Sequence, residues 1–201
     1  MEKIKIIDWK SILNVTPIED LEQLEKFCDL APNRLAIEVG SYEGGSTAVL
    51  AQYFETVIAI DPWGEHNTKP GDSIATFTEG TAGTNSHFPA FNKNMHNLGL
   101  CDIVIPLVST VTSLKILPYL NAGLAFVDDG HSHFDCKRDI NAVLPHLCKD
   151  GILVCHDYYN EFGGPCGAYI GVTEAVNEAI GYYNLEIIKH TGGIIAMRKK
   201  Y

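Results

Sequence analysis

Residues 35–46 read LAIEVGSYEGGS and residues 56–61 read TVIAID. The first stretch is an apolar run carrying one acid, Glu38; it turns at Gly40 and becomes apolar again after Gly44-Gly45-Ser46. A short apolar run closed by glycine reads as a strand, and the restart from about Ser46 reads as a helix. The second stretch is a strand ending on Asp61. Strand, helix and strand in this order form a βαβ unit, whose crossover makes the two strands parallel.

The alternation continues in both directions. Upstream, Thr16-Pro17-Ile18-Glu19 has capping-box spacing with proline at the first helical position, and Ile18, Leu21, Leu24, Phe27 and Cys28 recur at helical intervals. A helix therefore covers about 17–30. Downstream, residues 62–87 carry turn formers without periodicity, a helix covers about 88–98, DIVIPLV is a strand, a short helix lies around 111–119, and LAFVD is the next strand. Ile140, Val143, Leu144 and Leu147 mark a helix, Gly151 releases the chain into the strand ILVCHD, and Val172, Ala175, Val176, Ala179 and Ile180 mark another helix. LEIIK, HTGG and IIAMRK close the sequence as an antiparallel hairpin. The expectation is an α/β fold with a mainly parallel sheet, an antiparallel C-terminal hairpin and helices on both faces. Ligands then bind at the carboxyl ends of the strands.

With 201 residues, 46 % hydrophobic and 20 % charged, a single domain over 1–201 is expected, its first 33 residues forming an N-terminal helical segment. The net charge is −10, and no cluster of Lys and Arg exists beyond Arg198-Lys199-Lys200. That excludes partners held by phosphate neutralisation, so neither nucleic acid nor an anionic membrane surface is expected. The start MEKIKIIDWK has no apolar core of a signal peptide, and no run approaches the roughly 18 apolar residues of a membrane span. A cytoplasmic location follows as an expectation. The six cysteines lack CxxC spacing, which points to reduced thiols; Cys166, on a Gly-rich loop, has the setting that suits reactivity.

Two clusters carry chemistry. In the first, the turn at Gly40 lets a ligand approach the backbone, the helix start at Gly44-Gly45-Ser46 offers free N–H groups, and Asp61 lies where a ribose diol would meet a carboxylate. A dinucleotide fingerprint needs glycine at position 42, which here is Tyr42, and this counts against NAD. The second cluster is FVDDGHSHFD, residues 126–135, where a strand ends on two acids followed by two histidines and a third acid.

Glu38-Val-Gly40-Ser-Tyr-Glu-Gly44-Gly-Ser46, Ile60-Asp61-Pro62-Trp63, Phe126-Val-Asp128 with His131-Ser132, and Gly151-Ile-Leu-Val-Cys-His156-Asp157 together resemble the class I S-adenosylmethionine-dependent methyltransferases. Within that class they are most similar to the small-molecule O-methyltransferases of the macrocin and sugar-modifying type, over about Leu35 to Ile180. The resemblance implies a Rossmann-like, seven-stranded sheet with its last strand antiparallel. It implies a cofactor site at Glu38, Gly40, Ser41, Gly44, Ser46, Asp61 and Ser109, with the backbone around Gly40 and Glu38 at the methionine part, Asp61 at the ribose and the segment at Ser109 at the adenine. It also makes the strands ending in Asp128 and Asp157 neighbours. Their carboxylates could then share a Mg²⁺ or Mn²⁺ ion, since oxygen donors with open positions suit those metals. An aliphatic hydroxyl is a poor nucleophile that such an ion would activate, with His131 as the base and Asp129 as a further ligand or support. Relatives usually read Asp-Gly-Asp or Asp-Gly-Ala-His where this sequence has Asp128-Asp129-Gly130-His131, so which second carboxylate is used stays open.

The expected activity is methyl transfer to a hydroxyl of a small-molecule acceptor, a sugar or glycosylated metabolite. Residues 62–87, too long for an idle connection, are expected to be a lid based on Trp63 and His66 with Phe77 nearer its tip. The sequence is short for this group, so a neighbouring subunit of a homo-oligomer would complete the acceptor site. Two other readings stand beside this one. His131-Ser-His133-Phe-Asp135 matches most of the metal-binding pattern of metallo-β-lactamase-like hydrolases, although position 136 is cysteine. A non-catalytic cofactor-binding protein is the other.

Overall fold

A computed structural model of the protein describes residues 2–12, 15–64, 66–67, 76–77, 81–159 and 169–200. Helix α1 spans Ile18–Cys28, strand β1 Leu35–Val39, α2 Gly45–Leu50, β2 Thr56–Asp61, β3 His66–Asn67, β4 Thr76–Phe77, α3 His87–Asn97 and β5 Val104–Val108. Strand β6 spans Ala122–Val127, α4 His133–Val143, β7 Leu147–Cys155, α5 Ile170–Tyr183, β8 Glu186–Thr191 and β9 Ile194–Arg198.

Seven strands form one sheet in the order β5-β2-β1-β6-β7-β9-β8, in which only β9 opposes the others. This is the Rossmann-like fold of class I methyltransferases. Alternation along each strand sends side chains to two separate cores. Ala36, Val57, Ala59, Leu124, Phe126 and Val154 pack on one face with Leu21 and Leu24 of α1, the fully buried α2, and Phe91 and Met95 of α3. Ile37, Val39, Ile58, Ile60, Ala125, Val127 and Cys155 pack on the other with Ile140 and Val143 of α4 and Val172 and Val176 of α5. The chain leaves β1 toward β2 on one side, and later segments return to place β6 on the other. β1 is therefore the switch point of the sheet, and a crevice opens beyond its carboxyl end.

Several local expectations change. The Thr16–Glu19 capping box does not form: Pro17 is the N-cap of α1, without a side-chain cap bond, and the Thr16 hydroxyl donates to Asp128 Oδ2 at 3.1 Å instead. The short helix expected around 111–119 is a 3₁₀ helix over Val111–Ile116. Strand β7 begins at Leu147, before Gly151, because a register shift between Ala122 and Leu124 lets the early residues pair with β6. Within 62–87, β3 and β4 pair antiparallel, while residues 65, 68–75 and 78–80 and the side chains of His66 and Phe77 lie outside the described residues. Cys166 lies outside them too; the described cysteines are free, and all but Cys101 are buried. Among the described residues, no helix is long and apolar enough to cross a membrane.

Candidate active site

The loop after β1 is held from below and from the side. Glu38 is fully buried, and its Oε2 accepts hydrogen bonds from Ser41 Oγ at 2.8 Å and Thr47 Oγ1 at 2.5 Å. Burial pushes its carboxyl up to about 7, partly offset by the hydroxyls of Ser46, Thr47 and Ser41. The side chain of Glu38 thus sits under the loop as its keel, outside the lining of the cavity. Asp61, at the end of β2, accepts from the backbone N–H of Ser41 at 3.0 Å and of Tyr42 at 2.9 Å through Oδ2, and from that of Trp63 at 2.6 Å through Oδ1. Tyr42 and Trp63 both have left-handed backbone, a strain that these bonds offset. The Trp63 indole donates to the Tyr42 carbonyl at 2.6 Å and lies against Phe88 and Phe91, which fixes the loop to α3. Ser109 lies beyond Asp61, its N–H donating to the Asp61 carbonyl at 3.2 Å.

The glycines have reasons of their own. A Cβ on Gly40, at φ +87°, would lie 2.2 Å from the Asp128 carbonyl oxygen, so the ends of β1 and β6 meet there. A Cβ on Gly44, at φ +93°, would lie 2.5 Å from the Met95 methyl group. Close packing within the protein demands both residues before any ligand does.

Beyond β6 and β7 the site is made of charged side chains. Asp128, His131 and Asp157 bring donor atoms within 4.8 Å of one another. His131 Nε2 lies 2.7 Å from Asp157 Oδ2, and its ring meets Tyr169 edge-on. Asp157 has left-handed backbone at φ +58°, which breaks the strand alternation and turns its carboxylate toward His131. His156 is buried, with Nδ1 3.1 Å from Asp128 Oδ1 and Nε2 3.1 Å from Asp20 Oδ2 of α1. Burial opposes the charging of all three groups in this string, and the pairing overrides it. Asp157 is held well below the usual carboxylate range by His131 and His156, and His156 is held far above the usual imidazole range by Asp128, Asp157 and Asp20. His131 is raised more modestly, burial lowering it while Asp157 and Asp128 raise it.

A cavity of about 340 Å³ joins the two halves, lined by Ser41, Tyr42 and Ser46 on one side and by Asp128, His131 and Asp157 on the other, with Gly40 and Asp61 between. Asp129 also borders it but is absent from the converging trio. Burial and the neighbouring charges of Asp139 and Asp61 raise its carboxyl, and Arg138 lies 3.8 Å away. Asp129, expected as a further ligand or support, thus stands outside the converging group of Asp128, His131 and Asp157 and beside Arg138. The hydrolase motif comes apart as well: His131 faces Asp157, His133 faces the exposed Glu178 at 3.1 Å, and Asp135 pairs with Arg138 at 2.9 Å. The Asp135 N–H also donates to Ser132 Oγ at the N-cap of α4, so His133 and Asp135 open a helix.

Sequence reasoning missed Thr16 and Asp20. One signal was present: Asp20 falls on the apolar stripe of α1, in line with Leu24 and Phe27, where an acid is out of place unless something buried needs it. Tyr159 and Tyr169, stacked at 5.6 Å beside the cavity, carried no local signal.

A family described as a methyltransferase domain matches residues 37–158 of the chain. Comparison with curated proteins gives no match. Among solved structures, the chain is similar to the O-methyltransferase NovP, at 17% identity and TM-score 0.68, over 92% of this chain and 81% of that one. It is similar to the O-methyltransferase TomG from Streptomyces achromogenes, involved in tomaymycin synthesis and solved with SAM, at 14% identity and TM-score 0.67, over 93% and 82%. It is also similar to an O-methyltransferase from Bacillus cereus solved with SAH, at 13% identity and TM-score 0.65, over 92% and 83%. At these identities the likeness is one of fold.

Proposed function

The chain belongs to this methyltransferase family, and on that premise we propose that it moves the methyl group of S-adenosylmethionine to a hydroxyl of a small molecule. A sugar or glycosylated metabolite is the acceptor class, and a magnesium or manganese ion is held by Asp128 and Asp157. The observation that carries this reading is the single cavity in which a nucleotide-type loop and a converging pair of carboxylates face each other. The backbone and hydroxyls of Gly40, Ser41, Gly44 and Ser46, with Asp61 and Ser109, hold the cofactor, and Glu38 keeps that loop in shape. A divalent cation, when bound, lowers the pKa of a hydroxyl it coordinates. The carboxylates fit such an ion, because each oxygen has more than one lone pair and the bonds seen here use only part of that capacity.

His131 is the proton acceptor, its ring oriented by Asp157. The acidic, patch-free balance of the sequence suits a small acceptor in the cytoplasm rather than nucleic acid or a membrane, and a second subunit covers the acceptor side. The test is transfer of labelled methyl groups to a panel of sugars and glycosides after exhaustive chelation. Chelation should abolish transfer while calorimetry still shows SAH binding, and Mg²⁺ or Mn²⁺ should restore it. His131→Ala should keep the ion and lose about 10²–10⁴-fold in rate. Full activity of the stripped enzyme sinks the metal reading, and loss of the ion from His131→Ala makes His131 a ligand instead of a base.

A further inference from the structure

Asp128 is gripped on both of its oxygens, and both grips lead to one place. Thr16, just ahead of α1, donates to Oδ2 at 3.1 Å. His156 reaches Oδ1 at 3.1 Å through Nδ1, while its other nitrogen lies 3.1 Å from Asp20 in the first turn of α1. Asp20 and His156 are each 6% exposed, so this string runs through the interior rather than across the surface. The C-terminal turn leaves room for it: a Cβ on Gly192 would lie 2.6 Å from Asp20 Oδ1, and one on Gly193 would lie 2.7 Å from Tyr159 Oη.

We propose that Asp20 is a positioning residue for the cation site, acting through His156 to fix the orientation of the Asp128 carboxylate. The inference rests on the metal reading given above. Two features separate it from simple helix docking. Leu21 and Leu24 already pin α1 to the sheet, so docking needs no buried acid. Moreover, an imidazole bonded at both nitrogens is held in one orientation, and the hydrogen bonds that a ligating carboxylate accepts fix its orientation in metal sites. Asp20 touches neither cofactor nor acceptor in this arrangement; its effect reaches the cavity only through the ring of His156.

The experiment is titration of the full-length protein with Mn²⁺ alone, followed by electron paramagnetic resonance of free ion, beside SAH binding by calorimetry on the same preparation. Asp20→Asn should weaken Mn²⁺ binding by about 10–100-fold, the usual effect of losing a group behind a metal ligand, and leave SAH binding within about twofold. His156→Asn, whose amide can still donate to Asp128 in place of Nδ1, should retain Mn²⁺ better than His156→Ala. That rescue would not occur if the pair merely held the helix. If Asp20→Asn fails to fold, His156→Asn decides against wild type, because it keeps a donor to Asp128 while cutting the link to Asp20: Mn²⁺ affinity equal to wild type overturns the inference. Equal Mn²⁺ affinity in wild type and Asp20→Asn, or equal loss in both His156 variants, overturns the inference and leaves the metal reading standing. A wild type that binds no Mn²⁺ overturns the metal reading and this inference with it.

Discussion

At the carboxyl ends of β1 and β2, the groups facing the cavity are held by near neighbours in the sequence: Asp61 caps the N–H groups of Ser41 and Tyr42, 20 and 19 positions away. At the ends of β6 and β7 they are held by the far end of the chain, Thr16 reaching Asp128 across 112 positions and Asp20 reaching His156 across 136. The first half presents backbone donors shaped by glycine, and the second presents charged side chains shaped by one another. A cofactor common to many enzymes can be met by a local backbone device. Under the proposed function, the acceptor is met by a network that remote residues such as Thr16 and Asp20 can alter.

Gly40 is where the halves touch, so it offers the strongest way to break this division. Gly40→Ala places a Cβ on the Asp128 carbonyl in a left-handed backbone and should cost roughly 2–5 kcal/mol in urea unfolding, with SAH and Mn²⁺ binding falling together. A cost under about 0.5 kcal/mol would show that the strand ends are free to part. Asp61→Ala should act on one half only, weakening SAH binding by about 1.5–3 kcal/mol with Mn²⁺ binding unchanged. A parallel fall in Mn²⁺ affinity would mean that the halves cannot be treated separately. The third expectation concerns stability against pH. Because burial raises the Glu38 carboxyl from 4.5 to about 7, its favourable contribution is complete below the ordinary glutamate range and is lost as pH rises through about 7. Glu38→Gln should therefore flatten the stability profile by roughly 2 kcal/mol between about pH 5 and about pH 8, as read by thermal or urea unfolding. An unchanged slope would mean that Glu38 is ionised in the folded protein.

The same division decides how much the sequence alone disclosed. The βαβ unit, the hairpin and the loop 40–46 were legible because period, glycine and strand-end acids act within a few residues. Asp128 and Asp157 were recognisable as a pair once their strands were taken as neighbours. Thr16 was misread, since its spacing to Glu19 satisfies a helix cap and nothing local shows that a carboxylate competes for the hydroxyl. Asp129 was not separable from Asp128 in the sequence, because adjacent acids look equivalent there; in the fold both border the cavity, and Arg138 stands beside the second. Glu38 was placed at the cofactor by the resemblance alone, and nothing local in the sequence shows that its buried side chain is claimed by three hydroxyls, those of Ser41, Ser46 and Thr47.

The long reach from Thr16 to Asp128 also bears on the order in which the molecule comes together. Closing a loop of 112 residues costs more chain entropy than closing one of 20, by about 1.5 kcal/mol for a flexible chain. Ser41 and Asp61 leave the ribosome close together and can meet early, whereas Asp128 must wait for its own strand and Asp20 for β7. The contacts of Thr16 with Asp128 and of Asp20 with His156 are thus expected to close after those of Ser41 and Tyr42 with Asp61 during synthesis.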